Sequence, residues 1–337
     1  MPLVPQVPGP RRRAGITLAR MKMAALALTA AFAAPAQAQT YPSKPVHFVV
    51  PFPASGATDI MTRVVQRELE KALGQPVIVD NKPGAGGSIG SAFVAKSAPD
   101  GYTIQMATSS THSIGPALQK LPYDPEKDFA PVCLVANAAN ILVVSPALGV
   151  GSTRELIALA KSKPGQLNYA SSGTGTIIHL SGELFVRMAG VSMQHIPYKG
   201  TALAAADIKS GQIAMMIDNI VSAIPFMKSG LEKGIAVTSA KRSDVLAELP
   251  TVAESGLPGY VSVTYFGVFA PAGTPAAIVA RLNAELVRIV RSPDIKAKFL
   301  ELGADPVGST PEALAAAVKA DAEKWSKVIR DAGITVQ

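Results

Sequence analysis

The chain has 337 residues, a formal charge of +8, 48% hydrophobic and 17% charged residues, and a single cysteine. That length exceeds what one compact core usually needs, so two lobes are expected. The apolar content and low charge exclude a disordered chain, and one cysteine excludes an internal disulfide framework or a Cys-rich metal site.

The positive excess is concentrated at the start. Residues 1–38 hold Arg11, Arg12, Arg13, Arg20 and Lys22 but no Asp or Glu. An apolar, Ala-rich run from Met23 to Ala34 follows, then Ala36-Gln37-Ala38. A basic start, a short apolar stretch and small residues are the pattern of a secretory signal peptide, with cleavage expected after Ala38. The run is too short for a permanent membrane span. Arg11-Arg12 suggests a twin-arginine signal, but the following residues match it poorly, so the general export route is expected. Met21 and Met23 are alternative starts. Without this leader the charge falls to about +3 over residues 39–337. The remaining basic residues are scattered and a single Trp is present, so no nucleic-acid footprint is expected.

Beyond the leader, strands and helices alternate. Val46 to Val50 reads as a strand, and Asp59 to Leu73 as a helix with Ile60, Val64 and Leu69 at near-helical spacing, stopped by Gly74. A strand over Pro76 to Asp80, a helix over Gly90 to Ser97 and a strand over Tyr102 to Ala107 follow. The rhythm resumes with strand Leu167 to Ala170, helix Thr176 to Ala189, strand Gln194 to Pro197 and helix Ala202 to Ser210. It continues through strand Ile213 to Ile217, helix Ile220 to Lys228 and strand Ile235 to Thr238. Such alternation predicts an α/β protein with mostly parallel sheets. Ile141 to Val144 and Val263 to Phe269 break the rhythm and read as two crossover strands. Three helical stretches, Pro275 to Val290, Pro293 to Leu302 and Pro311 to Ala332, close the chain. Two sheets joined by two crossovers leave a cleft between lobes, the usual place for a small ligand.

Three loops share one design. Pro51 to Asp59, Lys82 to Gly90 and Ser171 to Thr176 each lead from a strand into a helix and combine glycine with Ser or Thr. Glycine lets backbone N–H groups converge, the following helix adds unpaired N–H groups, and the hydroxyls add donors. An anion site at strand ends is the expectation. Its candidate residues are Phe52, Ser55, Gly56, Thr58 and Asp59, then Gly86, Gly87 and Ser88, then Ser171, Gly173, Thr174 and Thr176. Thr108 and Ser110 after the third strand, Tyr198, and Asp218 at a strand end complete the set. Arg is absent from the loops, which favours a carboxylate over a phosphate. Asp59 reads either as a helix cap or as an anchor for water or a ligand amine; Asp218 reads as a cleft residue or a turn cap.

Chemistry is poorly supported. Gly84, Gly86 and Gly90 miss the dinucleotide fingerprint, and neither a phosphate loop nor a G-x-S-x-G elbow occurs. His179 and Glu183 share a helix face but do not make a metal site. His195 reads as structural and Cys133 as a small apolar filler. No catalytic residue, cofactor or metal is expected.

The loop Pro51-Phe-Pro-Ala-Ser-Gly-Ala-Thr-Asp59 resembles the P-F-P-x-G-G-x-x-D loop of the substrate-binding proteins of tripartite tricarboxylate transporters, the Bug family. Asn81 to Gly90, Ala98 to Thr103, Tyr123 to Phe129, His195-Ile-Pro-Tyr-Lys-Gly200, Leu249 to Gly256 and Phe269 to Pro275 extend the resemblance over the chain beyond the leader. It implies a two-lobed, type II-like periplasmic binding protein that closes on a small carboxylate. It also implies delivery to an inner-membrane permease of a large and a small subunit. The lobes are expected at 39–140 with 266–337, and at 141–265. A monomer is expected. The alternative is a periplasmic ligand sensor docking on a membrane sensor kinase. By the same resemblance the first and third loops grip the carboxylate, with Asp59 acting through water. Two departures bear on the pocket: Ser55 replaces a usual Gly, and Thr264-Tyr265-Phe266 replaces a segment that usually carries Trp. Phe52, Tyr198 and Tyr265 are the rings available to embrace a small aromatic acid.

Overall fold

The computed structural model describes residues 1–6, 9 and 41–335. Two compact units are separated, Met1–Tyr41 and Pro42–Gln337. In the first, residues 1–6 form no regular structure and are exposed; the expected signal peptide lies outside the described residues.

The second unit is built on a mixed sheet. Its strands are β1 (Val46–Val50), β2 (Val77–Asn81), β3 (Thr103–Thr108), β4 (Phe129–Val144), β5 (Leu167–Ser171), β6 (Met193–Pro197), β7 (Met215–Asn219), β8 (Lys233–Val237), β9 (Val263–Pro271) and β10 (Ala304–Pro306). They run in the order β2-β1-β3-β9-β4-β7-β5-β6, with β8 and β10 also paired to β4. The expected parallel pairings hold β1 to β2 and β3, and β5 to β6 and β7. The pairings of β9 with β3 and β4, and of β4 with β7, β8 and β10, are antiparallel.

The run Ile141 to Val144 is therefore the end of a much longer strand. From Phe129 to Ala139 β4 pairs with β9; from Asn140 onward it pairs with β7. Asn140 is the point of exchange. Its N–H donates to Thr238 Oγ1 at 2.9 Å, its Nδ2 to Ser262 Oγ at 3.1 Å, and its Oδ1 accepts from Asn219 Nδ2 at 3.2 Å and Thr264 Oγ1 at 3.0 Å. A buried amide with each side so occupied fixes the ends of β7, β8 and β9 against the middle of β4.

Helices α1 (Ala57–Leu73), α2 (Ser88–Ala95), α3 (Gly115–Leu118), α4 (Thr153–Ser162) and α5 (Ile177–Ala189) are followed by α6 (Ala205–Ser210) and α7 (Ile220–Lys228). The last three are α8 (Ala276–Arg291), α9 (Pro293–Glu301) and α10 (Pro311–Asp331). In α1, Met61, Val65 and Leu69 recur at i, i+4, i+8 and are fully buried, and Gly74 ends the helix in the left-handed region at φ 67°. Trp325 and Ile329 of α10 pack into one core with Ile177 and Ile178 of α5 and Ile141 of β4, so the last helix braces the base of the third loop. Among the described residues no helix is long and apolar enough to cross a membrane.

Candidate functional site

The β1–α1 loop is shaped by Asp59. Its Oδ2 accepts the Ser55 N–H at 2.9 Å and Arg63 Nε at 2.9 Å, while Oδ1 accepts Asn81 Nδ2 at 3.0 Å. The same Asn81 amide donates to the Phe52 carbonyl at 3.1 Å. Burial pulls the carboxyl toward protonation, but hydrogen bonds from Arg63, Ser55 and Asn81 outweigh it and hold its pKa below the ordinary value. Asp59 thus clamps the loop from behind. Gly56, the N-cap, carries no side-chain cap, so the first N–H groups of α1 are left for a partner.

The β5–α5 loop is held differently. Ser171 Oγ sits 2.7 Å from His195 Nε2 and accepts the Gly173 N–H at 3.1 Å. Thr176 Oγ1 caps α5 by accepting the His179 N–H at 3.3 Å, and donates to the Gly173 carbonyl at 2.7 Å. His195 stacks on His179 at 4.0 Å between ring centroids, and on Tyr169 at 5.0 Å. Burial lowers both imidazoles to about 4, so this stack is neutral near pH 7. Glu183 is engaged by the Tyr169 hydroxyl and by Arg187. Both histidines therefore serve packing, and among the described residues no cluster of three His, Cys, Asp or Glu could hold a metal ion.

These loops enclose two cavities that share Phe52, Pro53, Ser172 and Lys199. The inner one has a volume of about 200 Å³. Gly56, Ala57 and Thr58 bring the start of α1 to it, Ile177 and Ile178 the start of α5, and Asn219 and Ser222 the start of α7. Three helix N-termini facing one small volume give a positive potential from oriented N–H groups. Thr108, Ser110, Thr201 and Thr264 add hydroxyls, and Phe52, Leu203 and Phe266 add apolar wall. The outer cavity, about 750 Å³, lies among Gly84 to Gly87, Ser172 to Thr174 and Pro197 to Lys199.

The loops touch at the mouth. Gly86 stands at φ 63°, and a Cβ there would lie 3.0 Å from the Thr174 carbonyl oxygen. Gly200 stands at φ 130°, and a Cβ there would lie 3.0 Å from Pro53 Cγ. At both, positive φ and a close neighbour make any side chain strained.

The sequence-expected residues fall into three groups. Phe52, Gly56, Thr58, Thr108, Ser110 and Asp218 line the inner cavity. Phe52, Gly86, Gly87, Gly173, Thr174 and Tyr198 line the outer one, with the Tyr198 hydroxyl donating to Asp207 Oδ2 at 2.5 Å. Ser55, Asp59, Ser88, Ser171 and Thr176 line neither; four of them have local partners that build the loops, and Ser88 opens α2. The rings differ in the same way. Tyr265 is buried beside Ser113 Oγ at 3.2 Å, because strand alternation turns Thr264 and Phe266 toward the cavity and Tyr265 away.

Lys199, Thr201, Asn219, Ser222 and Thr264 also line the inner cavity. Lys199 belongs to the His195 to Gly200 motif and Asn219 follows Asp218, so proximity to those signals was the available cue. Lys199, though exposed, brings a cationic residue to the lining of a site expected to rely on neutral donors.

Asp218 is fully buried. Its Oδ1 accepts the Asn219 N–H at 2.7 Å and the Ser222 hydroxyl at 3.0 Å, whereas Oδ2 has no hydrogen-bond partner among the described residues. The Thr201 hydroxyl faces the same carboxyl without closing a bond to Oδ2. Burial raises the Asp218 pKa well above the carboxylate range, against the pull of Asn219, Ser222 and Thr201. Glu232, also buried and with both carboxyl oxygens unpartnered, is raised by burial and by the charge of Asp218.

The tripartite tricarboxylate transporter family receptor profile matches residues 61–334. The protein BugT of Bordetella pertussis is 38% identical over 307 residues, covering 90% of this chain and 94% of BugT. An R. palustris protein solved with adipate is 38% identical with a TM-score of 0.85, covering 88% of this chain and 99% of that one. MatC from Rhodopseudomonas palustris, solved with bound malate, is 35% identical with a TM-score of 0.81, covering 86% of this chain and 100% of MatC.

Proposed function

Since the chain belongs to the tripartite tricarboxylate transporter receptor family, whose members are periplasmic solute-binding proteins, we propose that it captures a small dicarboxylate in the inner cavity and delivers it, chemically unchanged, to a membrane permease. The observation that carries this reading is the convergence of the α1, α5 and α7 N-termini on one cavity of about 200 Å³. The uncapped N–H groups of α1, with the dipoles of α5 and α7, favour an anion, and the volume admits a small organic acid. Two relatives bind adipate and malate, both dicarboxylates, which supports the same class here.

In this reading one carboxylate sits against Gly56, Ala57 and Thr58, with Thr108 and Ser110 supplying hydroxyls and Phe52 closing the outer side. Gly86, Gly87, Gly173, Thr174 and Tyr198 form the entrance, and Lys199 draws the anion inward. Asp59, Ser55, Ser171 and Thr176 position the loops that make these contacts. Residues 39–140 with 266–337, and 141–265, act as lobes that close on the ligand, a population shift driven by contacts with both. The protein works as a monomer in the periplasm and without a cofactor.

A thermal-shift screen of refolded, ligand-stripped protein against short dicarboxylates tests the capture step. A ligand at 100 times its Kd stabilises by about 2.7 kcal/mol, which is a clear rise in Tm. A folded protein whose Tm no organic acid moves contradicts it.

A further inference from the structure

We propose that Asp218 is the specificity-determining group of the inner cavity, a neutral carboxylic acid whose Oδ2–H donates a hydrogen bond to the ligand's second carboxylate. The inference rests on the dicarboxylate reading above and adds to it the residue and the protonation state that would select for two acid ends.

Asp218 Oδ1 accepts the Asn219 N–H and lies 3.0 Å from Ser222 Oγ, whose single proton also has the Asn219 carbonyl within 3.0 Å. Asp218 belongs to the lining of the inner cavity, and its Oδ2 is buried with no hydrogen-bond partner among the described residues. A buried polar atom without a partner is costly, so an unpartnered oxygen on a cavity-lining residue is the natural one for a ligand atom to satisfy. Asp218 is the sole carboxyl among the residues lining this cavity, and its partners among the described residues are Asn219 and Ser222, neither a cation.

The remaining question is whether Oδ2 accepts or donates. An accepting carboxylate would call for a ligand ammonium; a donating acid would call for a ligand carboxylate. Three facts favour the donor. The group is fully removed from water, none of its protein partners is a cation, and the nearby Glu232 is a second buried acid with no donor of its own. Charge on Asp218 is therefore disfavoured by desolvation, which favours the protonated acid. The helix N-termini that favour an anion in the cavity would also disfavour a ligand cation. A protonated acid and a carboxylate then form a charge-assisted hydrogen bond, stronger than a neutral one.

The geometry makes the test decisive. In Asp218→Asn the carbonyl oxygen takes the Oδ1 place, because the Asn219 N–H already points there, so the NH₂ falls at Oδ2 and remains a donor. Asp218→Leu keeps size and removes the polarity. Calorimetric titrations would compare short α,ω-dicarboxylates up to adipate with ω-amino acids of matching length, on the full exported chain. The wild type is expected to prefer the dicarboxylate, Asp218→Asn to keep that preference, and Asp218→Leu to weaken dicarboxylate binding by about tenfold or more. A wild-type preference for the ω-amino acids, or an Asp218→Asn variant as weak as Asp218→Leu, overturns the proposal while leaving a carboxylate site intact. Circular dichroism of Asp218→Leu separates lost binding from lost fold; the Asp218→Asn comparison stands even if the Leu variant does not fold. Failure of every probe to bind folded wild type would instead overturn the dicarboxylate reading itself.

Discussion

Ser110 Oγ accepts the Ile177 backbone N–H at 3.0 Å across 67 residues of sequence. Ser110 opens a fully buried π-helical turn, Ser110–Ile114, directly after β3, and Ile177 is the first residue of α5. Both line the inner cavity, so this bond joins the end of one parallel strand group to the loop of the other at the cavity wall. π-Helical turns are frequent at functional sites, and here the wider turn aims a hydroxyl at a helix N-terminus.

Ser110→Ala leaves the Ile177 N–H buried and unpaired. The expected cost is about 1–3 kcal/mol of stability, measured by urea unfolding without ligand. A variant unfolding at the wild-type midpoint would show that the bond carries no strength.

Ser55 stands at φ 65°, a left-handed conformation that non-glycine residues adopt at a cost. This explains physically why glycine is usual there in the family resemblance. Ser55 uses its N–H, and its side chain lines neither cavity. Ser55→Gly is expected to stabilise by up to about 1 kcal/mol, the relief of strain exceeding glycine's extra entropy. Ligand affinity should stay within about twofold, a change of roughly 0.4 kcal/mol. A lower Tm would contradict the strain assignment.

Gly86→Ala tests the mouth. The added methyl would meet the Thr174 carbonyl and the backbone would be held at positive φ. The expected result is weaker binding by about 1–2 kcal/mol, with a faster off-rate in stopped-flow. Wild-type kinetics would mean that the two loops need not meet.

Glu232 sets a pH dependence. Burial, chiefly, raises its pKa from 4.5 to about 8, with a further upward push whenever Asp218 is ionised. A raised acid gives stability that is fully present below the unfolded value and lost as pH rises through the folded one. Glu232→Gln should therefore gain on the wild type as pH rises from about 4.5 to 8, by more than about 1 kcal/mol at the upper end. Parallel stability curves for the two proteins over that range would refute it.

Much of this was legible. Glycine and hydroxyl residues between a strand and a helix announce loops that expose N–H groups, and all three such loops reach the cavities. Less legible was which hydroxyl would face inward. Ser171 and Thr176 turn to local partners, as short polar side chains at caps and turns readily do. Thr201, Ser222 and Thr264 reach the cavity from elements whose proximity only the sheet order reveals. The first half of β4 was hidden by Pro131, which the strand accommodates with a register shift between Pro131 and Cys133. Helix α4 was not anticipated at all, though Ser152 caps it by accepting the Glu155 N–H at 3.2 Å.

The most direct measurement is electron density for a dicarboxylate, adipate or malate, in crystals of the complex. The account predicts one carboxylate against the Gly56–Thr58 backbone at the start of α1 and the other within hydrogen-bond distance of Asp218 Oδ2. A ligand confined to the outer cavity, with the α1 N-terminus empty, would contradict it.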